Sequence, residues 1–327
     1  MNEKPDTATH SILASNPKLS FERFHWVTSL HIPHFFKQAL PRPFLNTLRE
    51  LRRLILTRNV PGHTLFEQSL EDAAASAFLS IIVPIHDSPE VTRRCLVSLE
   101  KYAPKAEIVL IDDGSRLVKT RNLILDFVRR NAWKSVHHDK PLGHSVACEV
   151  GAKLANRPYL CLLNSDTVVT PWCWRLVNEV FEQDQSIAVA GPSTSFAGTS
   201  QMLPLPSYLR SNWNEGQICE FAKLLAIERP RPIVEDLTWV SGFAFFIRRS
   251  LWEQLDGFDR SLPDYGNERE LCKRVAAKGF RRVWVRNAYI HHLGQESYNA
   301  AIGDEAVHAR IQAARIYIRQ KHGSSDL

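Results

Sequence analysis

The chain predicts an α/β fold, a mostly parallel sheet flanked by helices, and three observations carry that expectation. Three apolar runs have the length of buried strands: residues 78–84 (F-L-S-I-I-V-P), 107–111 (E-I-V-L-I) and 159–162 (Y-L-C-L). Each runs into polar or acidic groups, His86-Asp87, Asp112-Asp113-Gly114-Ser115 and Asn164-Ser165-Asp166 respectively. The stretches between them are helix-like, and strands alternating with helices lie parallel, so the three ends share one polar rim. Ligands of open α/β sheets sit in the crevice outside the carboxyl ends of the strands, which makes that rim the expected site.

Taken in order, residues 1–20 are polar and aperiodic, the signature of disorder. From Phe21 to Val60 aromatic and basic residues interleave, and Pro33, Pro41 and Pro43 cut the stretch into short helices. One helix is expected after Pro43, with Phe44, Leu48, Leu51 and Ile55 on one face and Arg49 and Arg53 on another. Ala73-Ala74-Ala75-Ser76 reads as a linker. This sets the expected organisation: a basic helical N-terminal extension over 1–76, an α/β domain over 77–298, and a C-terminal helix and tail over 299–327. Within the domain, residues 193–235 are irregular and rich in Ser and Pro, which suggests a lid over donor or acceptor. A helix is expected from Gly266 to Lys278, stopped by Gly279, then a β-rich run from Arg282 to Ile290. The last helix should run from a capping Asp304 to His322 and end at Gly323.

Composition narrows the function classes. A length of 327 residues holds one large α/β domain with appendages or two small domains. Apolar residues at 44% and charged residues at 23% are those of an ordinary soluble globular protein. Six cysteines without a C-x-x-C pair read as reduced, mostly buried thiols. No run is long enough to span a bilayer and the first twenty residues are too polar for a signal-peptide core, so a cytoplasmic protein is expected. Of the formal charge of +6, residues 1–60 supply nine bases against four acids. With the excess confined to the extension and no nucleic-acid motif, nucleic acid is not an expected partner.

Each candidate constellation has a plain structural alternative. Asp112-Asp113-Gly114-Ser115 is also a good turn, and Asn164-Ser165-Asp166 a good helix N-cap. Their shared position at strand ends on one sheet edge favours a site. A lone carboxylate with room for water suits Mg2+ or Mn2+, which take further oxygens from a bound diphosphate. In Gly266-Asn267-Glu268-Arg269-Glu270 an acidic first turn would favour the helix dipole, and that accounts for Glu270 as well as Glu268. His291-His292 ends the β-rich run, where a histidine is more often packed or exposed than a metal ligand.

From Leu79 to Ser297 the order of motifs resembles family 2 glycosyltransferases of the GT-A fold. The residues that carry the resemblance are Ile82-Val83-Pro84, Asp112-Asp113-Gly114-Ser115, Leu163-Asn164-Ser165-Asp166-Thr167 and Val240-Ser241-Gly242-Phe243. They continue with Arg248-Arg249-Ser250-Leu251-Trp252, Gly257-Phe258-Asp259, Asn267-Glu268 through Cys272-Lys273-Arg274, and His292-Leu293-Gly294 with Ser297. The resemblance implies a nucleotide-sugar site of Pro84, His86, Asp87, Asp112, Asp113, Gly143, Ser165, Asp166 and Gly242. It makes Asp166 the last acid of the D-x-D metal motif and His292 a second contact to metal or diphosphate, with His291 as fallback. Glu268 takes the place of the general base. Glu270 is the other candidate, although residues two apart on a helix do not share a face.

The chain departs from the family pattern at two places. Pro141-Leu142-Gly143 and Glu149 stand where relatives carry Asn-x-Gly and a further Asn, while Gly143 and Gly151 keep the turn and close helix packing. Asn267-Glu268 replaces a Glu-Asp pair. The implied activity is metal-dependent, inverting transfer of a hexosyl or rhamnosyl group, with Mg2+ or Mn2+, from a nucleotide-diphosphate sugar to a hydroxyl of a glycan. The implied acceptor is a lipid-linked bacterial surface polysaccharide such as O-antigen or capsule. The alternative is a non-catalytic nucleotide-sugar or glycan-binding module with a degenerate GT-A fold. Residues 1–60 would then meet a membrane surface at the inner face of the cell membrane, a protein partner, or the catalytic domain itself.

Overall fold

A computed structural model of the protein describes residues 70–205, 214–228, 230–294 and 304–323. The expectations for residues 1–60 and for Ser297 lie outside the described residues. Three strands, β1 (Leu79–Ile85), β2 (Glu107–Asp112) and β4 (Tyr159–Leu163), realise the three apolar runs. They are joined through helices α1 (Pro89–Tyr102), α2 (Val118–Asn131) and α3 (His144–Leu154), with a short strand β3 (Lys134–His137) between the last two. β1 pairs parallel with β2, Ile85 opposite Asp112, and with β4, Ile82 opposite Leu162. That register brings the carboxyl ends to one rim, as the sequence predicts.

The second half reverses direction. After β5 (Thr167–Val169), α4 (Cys173–Gln183) and β6 (Ile187–Ser193), strand β8 (Ala244–Arg248) enters antiparallel to β4 with Leu163 opposite Ala244. The residues preceding β8 therefore lie on the same rim, and Asn164 N–H donates to the Phe243 carbonyl at 2.9 Å. The last strand, β9 (Arg281–His292), runs parallel to β6, but Pro192 faces Val285 and the next residue, Ser193, faces Tyr289. This irregularity lets β9 leave β6 and pair antiparallel with β5, His292 opposite Thr167. Including β7 (Val234–Asp236), which pairs with β9, the sheet has nine strands among the described residues.

Side-chain alternation along β1 feeds two cores. Ile81, Val83 and Ile85 pack with Leu96, Leu99, Phe127, Trp174 and Phe181 on one face. Ile82 packs on the other face with Ala147 and Cys148 of α3 and, further along, Trp252 of α6 (Arg249–Gln254) and Leu271 and Val275 of α7 (Asn267–Ala277). Each fully buried side chain of this size contributes about 1.5–3 kcal/mol. Gly151 of α3 lies against Ile82 so closely that a Cβ there would collide with it, which is the close helix packing expected of that glycine. Helix α8 (Asp304–His322) ends at Gly323 with φ of 81°, as its sequence predicts.

Two expectations are corrected. Ala73-Ala74-Ala75-Ser76 is no linker: Ala75 and Ser76 are buried, and the buried Asp72 carboxylate accepts from Arg175 N–H at 2.8 Å. A run of small residues lacks hydrophobic mass and reads as a linker, yet small side chains also permit close packing. The segment 193–235 is not irregular throughout, because α5 (Glu215–Glu228) occupies part of it. Asn214 and Gln217 exchange side chain to backbone hydrogen bonds at 2.9 and 3.0 Å, a capping box hidden among the Ser and Pro residues. Ile218 and Ala222 of that helix bury against Val168 and Tyr289.

Candidate active site

At the ends of β1 and β2 the acidic groups are engaged with backbone. Asp87, itself left-handed at φ of 52°, accepts from Arg116 and Leu117 N–H, each at 2.9 Å. Asp113 accepts from Leu142 N–H and Gly143 N–H at 2.9 Å and from His138 at 2.8 Å, so it holds the loop that follows β3. Asp112 accepts from Ser115 N–H at 2.9 Å and meets His137 at 2.8 Å. His86 Nδ1 lies 2.8 Å from the Asp113 carbonyl, which can only accept, so Nδ1 carries the proton and Nε2 is left to face Asp87 at 3.9 Å. Pro84 sits within β1 opposite Ile111, one residue short of the rim. His137 and His138, which the sequence reading missed, complete this corner; a strand of four residues that ends at His137 is too short to show a period.

Beyond β4 the chain turns at Asn164-Ser165 and delivers Asp166 to the junction of β5 and β9. Leu293 N–H donates to the Asp166 carbonyl at 2.9 Å, and Asp166 Oδ1 lies 3.2 Å from His292 Nε2. His292 Nδ1 is 2.8 Å from the Phe196 carbonyl and so is protonated, while its ring stacks on Phe243 with centroids 5.5 Å apart. Burial works against the imidazolium, but the Asp166 carboxylate and the Phe196 carbonyl outweigh it and raise the pKa. With Nδ1 tied to a carbonyl, Nε2 faces the carboxylate as a hydrogen-bonded pair, which could hold a cation once the Nε2 proton leaves. Among the described residues no three His, Cys, Asp or Glu side chains gather into a group that could hold a metal ion. His291, the fallback, points to the other face of the strand: it is buried, 2.8 Å from the Tyr289 hydroxyl, and burial followed by His292 lowers its pKa to about 4.

Glu268, in the first turn of α7, folds over the backbone of Gly242. A Cβ at Gly242 would overlap its carboxylate, so the glycine makes room for the acid. The residue is half-buried, no basic side chain among the described residues pairs with it, and desolvation lifts its pKa to about 7 against a single opposing hydrogen bond from its own backbone. Asn267 explains one departure from the family pattern. Its Nδ2 donates to Ser145 Oγ at 3.1 Å and His144 Nδ1 at 3.2 Å, bonds that a carboxylate could not donate. Glu270 is fully buried and contacts Arg274, Lys321 and His322 at 2.7, 2.8 and 3.0 Å, so it faces α8 and not the crevice.

The family model of glycosyl transferase family 2 matches residues 80–255, just over half of the chain. This chain belongs to glycosyl transferase family 2. The O-antigen biosynthesis protein RfbC of Myxococcus xanthus is 27% identical over 227 residues, 65% of this chain and 17% of that protein. The poly-beta-1,6-N-acetyl-D-glucosamine synthase of Staphylococcus epidermidis is 22% identical over 186 residues, 56% of this chain and 42% of that protein. The chain thus spans less than half the length of either curated relative. Solved structures share its GT-A fold. GalNAc-T7 with UDP, GalNAc and Mn2+ superposes with a TM-score of 0.54 at 16% identity, covering 74% of this chain and 47% of that one. The mannosyltransferase PcManGT of Pyrobaculum calidifontis with GDP-Man and Mn2+ gives 0.53 at 14% identity, covering 83% and 75%.

In this family 2 glycosyltransferase the rim therefore brings together Asp166, His292, Gly242 and Glu268 through the Gly242-Phe243 segment, which touches Asn164, His292 and Glu268 in turn. Asp112, Asp113 and Gly143 form a separate corner whose carboxylates hold the loops. Glu149, at the second departure, is buried and pairs with Arg260 at 3.0 Å. Five of the six cysteines are buried and all six are free, in keeping with reduced thiols. Among the described residues no helix is long and apolar enough to cross a membrane.

Proposed function

We propose that the protein transfers a sugar from a nucleotide-diphosphate sugar to a glycan hydroxyl with inversion, using Glu268 as the general base. The observation that carries this reading is the Glu268 carboxylate, which lies over Gly242 without an ion-pair partner among the described residues and has its pKa raised to about 7. A binding module has no use for a carboxylate held near neutral pKa without a cationic partner, whereas such a base is suited to take a proton from an attacking hydroxyl. Gly242 leaves the room that this carboxylate occupies. A divalent cation, Mg2+ or Mn2+, held by Asp166 and His292 would supply Lewis-acid stabilisation of the leaving diphosphate. Asp112 and Asp113, with His86, Asp87, Pro84 and Ser165, would shape the nucleotide end, chiefly by fixing the loops after β1, β2 and β3.

The acceptor we infer is a lipid-linked bacterial surface polysaccharide of the O-antigen or capsule kind, a reading supported by the kinds of relatives the chain matches. The basic segment 1–60 would hold the protein at the inner face of the membrane or on a membrane-bound partner. Thermal-shift measurements with UDP, GDP and dTDP, with and without Mn2+, test the donor site, since a ligand that binds only the native state raises its melting temperature. A stabilisation that needs both one nucleotide and the metal is expected. No shift with any nucleotide would sink the reading.

A further inference from the structure

A second, basic cleft lies along α7 beside Trp239. It has a volume of about 310 Å3 and is lined by Thr238, Trp239, Arg269, Lys273, Arg282 and His322 with small side chains of α7, and no Asp or Glu contributes to its wall. Arg269 and Lys273 are four residues apart and share a helix face. The Arg269 guanidinium sits 5.3 Å over the Trp239 ring, and burial together with Arg315 depresses its pKa. Arg282 donates Nη1–H to the Phe280 carbonyl at 3.1 Å, but its Nε–H is buried without any hydrogen-bond partner. Among the described residues no carboxylate lies within ion-pair distance of Arg269 or Arg282.

Placing Arg269 and Arg282 in one cleft without a carboxylate costs free energy, as does the orphaned buried Arg282 donor, and an anion that enters offsets both. We propose that this cleft is a binding site for a phosphate or diphosphate group. Guanidinium forks match phosphate oxygens two at a time, and the volume lies at the small end of ligand cavities, enough for a diphosphate but not for a whole nucleotide sugar. It is distinct from the donor site: Arg282 and His292 stand at opposite ends of β9, ten residues or roughly 30 Å of extended chain apart.

Calorimetric titration of the full chain with inorganic pyrophosphate in EDTA tests the site, because removing divalent metal disables diphosphate binding at Asp166 and His292. Binding at one site is expected, unchanged in Asp166→Ala and at least ten-fold weaker in Arg269→Gln combined with Arg282→Gln. Arg269→Gln alone, at a half-buried position, carries the comparison if the double variant melts early. Absence of binding to the unaltered protein, or equal affinity in the arginine variants, overturns the proposal. Phosphatidylcholine vesicles with and without phosphatidate identify the source of the phosphate. Because residues 1–60 are also expected to bind anionic vesicles, the source is read from the part of the phosphatidate-dependent pelleting that excess pyrophosphate and the arginine substitutions both remove: its presence assigns the site to a lipid headgroup, and its absence to a soluble phosphate ligand.

Discussion

Gly242 and Glu268 compete for one space, and the glycine yields it. Gly242→Ala should therefore displace the carboxylate and lower kcat by an order of magnitude or more, with little change in melting temperature, because no left-handed backbone is involved at that position. Glu268→Gln keeps the shape and removes the proton acceptor, so donor affinity should persist while transfer falls about 10²- to 10⁴-fold. With its pKa lifted by burial to about 7, the base should make transfer rise with pH through neutrality. The linked stability runs the other way. A carboxyl whose folded pKa exceeds its ordinary value of 4.5 favours the native state below that value and loses this contribution as pH climbs through about 7. A flat pH profile for kcat between 5 and 9 would remove Glu268 from the role. Asp166→Ala and excess EDTA should each abolish transfer, and full activity in EDTA would end the metal assignment.

At the scale of elements, α8 is fastened to α7 and to the loop before it. Leu262 buries against Ala314 and Ile318, Lys321 pairs with Asp259 at 2.6 Å, and a Cβ at Gly266 would sit 3.0 Å from both Ala314 and Ile318. Glu270 lies at the centre of this junction, a role beyond the helix-dipole service its first-turn position predicts. Burial would raise its pKa, but Arg274, Lys321 and His322 overcome that and hold it below 4.5. Its contribution is therefore present above the unfolded pKa and fades as pH falls through the lowered folded value. Glu270→Gln should destabilise the fold by about 3 kcal/mol, the low end for a broken buried pair because Lys321 is partly solvated. The same substitution should spare kcat at a temperature where the protein stays folded. Hydrogen-exchange protection factors over residues 304–323 check this directly. If the variant is inactive yet as stable as the parent, the catalytic and docking roles of the two glutamates have been exchanged.

For the whole molecule the open question is what residues 1–60 meet. Their +5 excess, interleaved with Phe21, Phe24, Trp26, Phe35 and Phe36, suits an anionic surface, where each base near the membrane contributes about 1 kcal/mol. Full-length protein should pellet with anionic vesicles, and protein lacking 1–60 should lose most of that binding. Equal pelleting of the two would point instead to a flap on the catalytic domain or on a second subunit.

What the sequence determined by itself was local. Strand-length apolar runs with acids at their ends placed β1, β2 and β4 and their rim, and Asp304, Gly279 and Gly323 marked helix limits within a residue or two, because period, caps and glycine turns depend on neighbours in the chain. Motif order supplied the family and, through it, Asp166, His292 and Glu268. Only the tertiary structure shows that Glu270 faces α8 while Glu268 lies over Gly242, that His291 and His292 face opposite sides of β9, and that Asp113 holds the 138–143 loop. Each of those placements depends on which surface a side chain meets across the fold. Gly242, α8, Phe196 and the 138–143 loop lie far away in sequence, and packing alone brings them into contact.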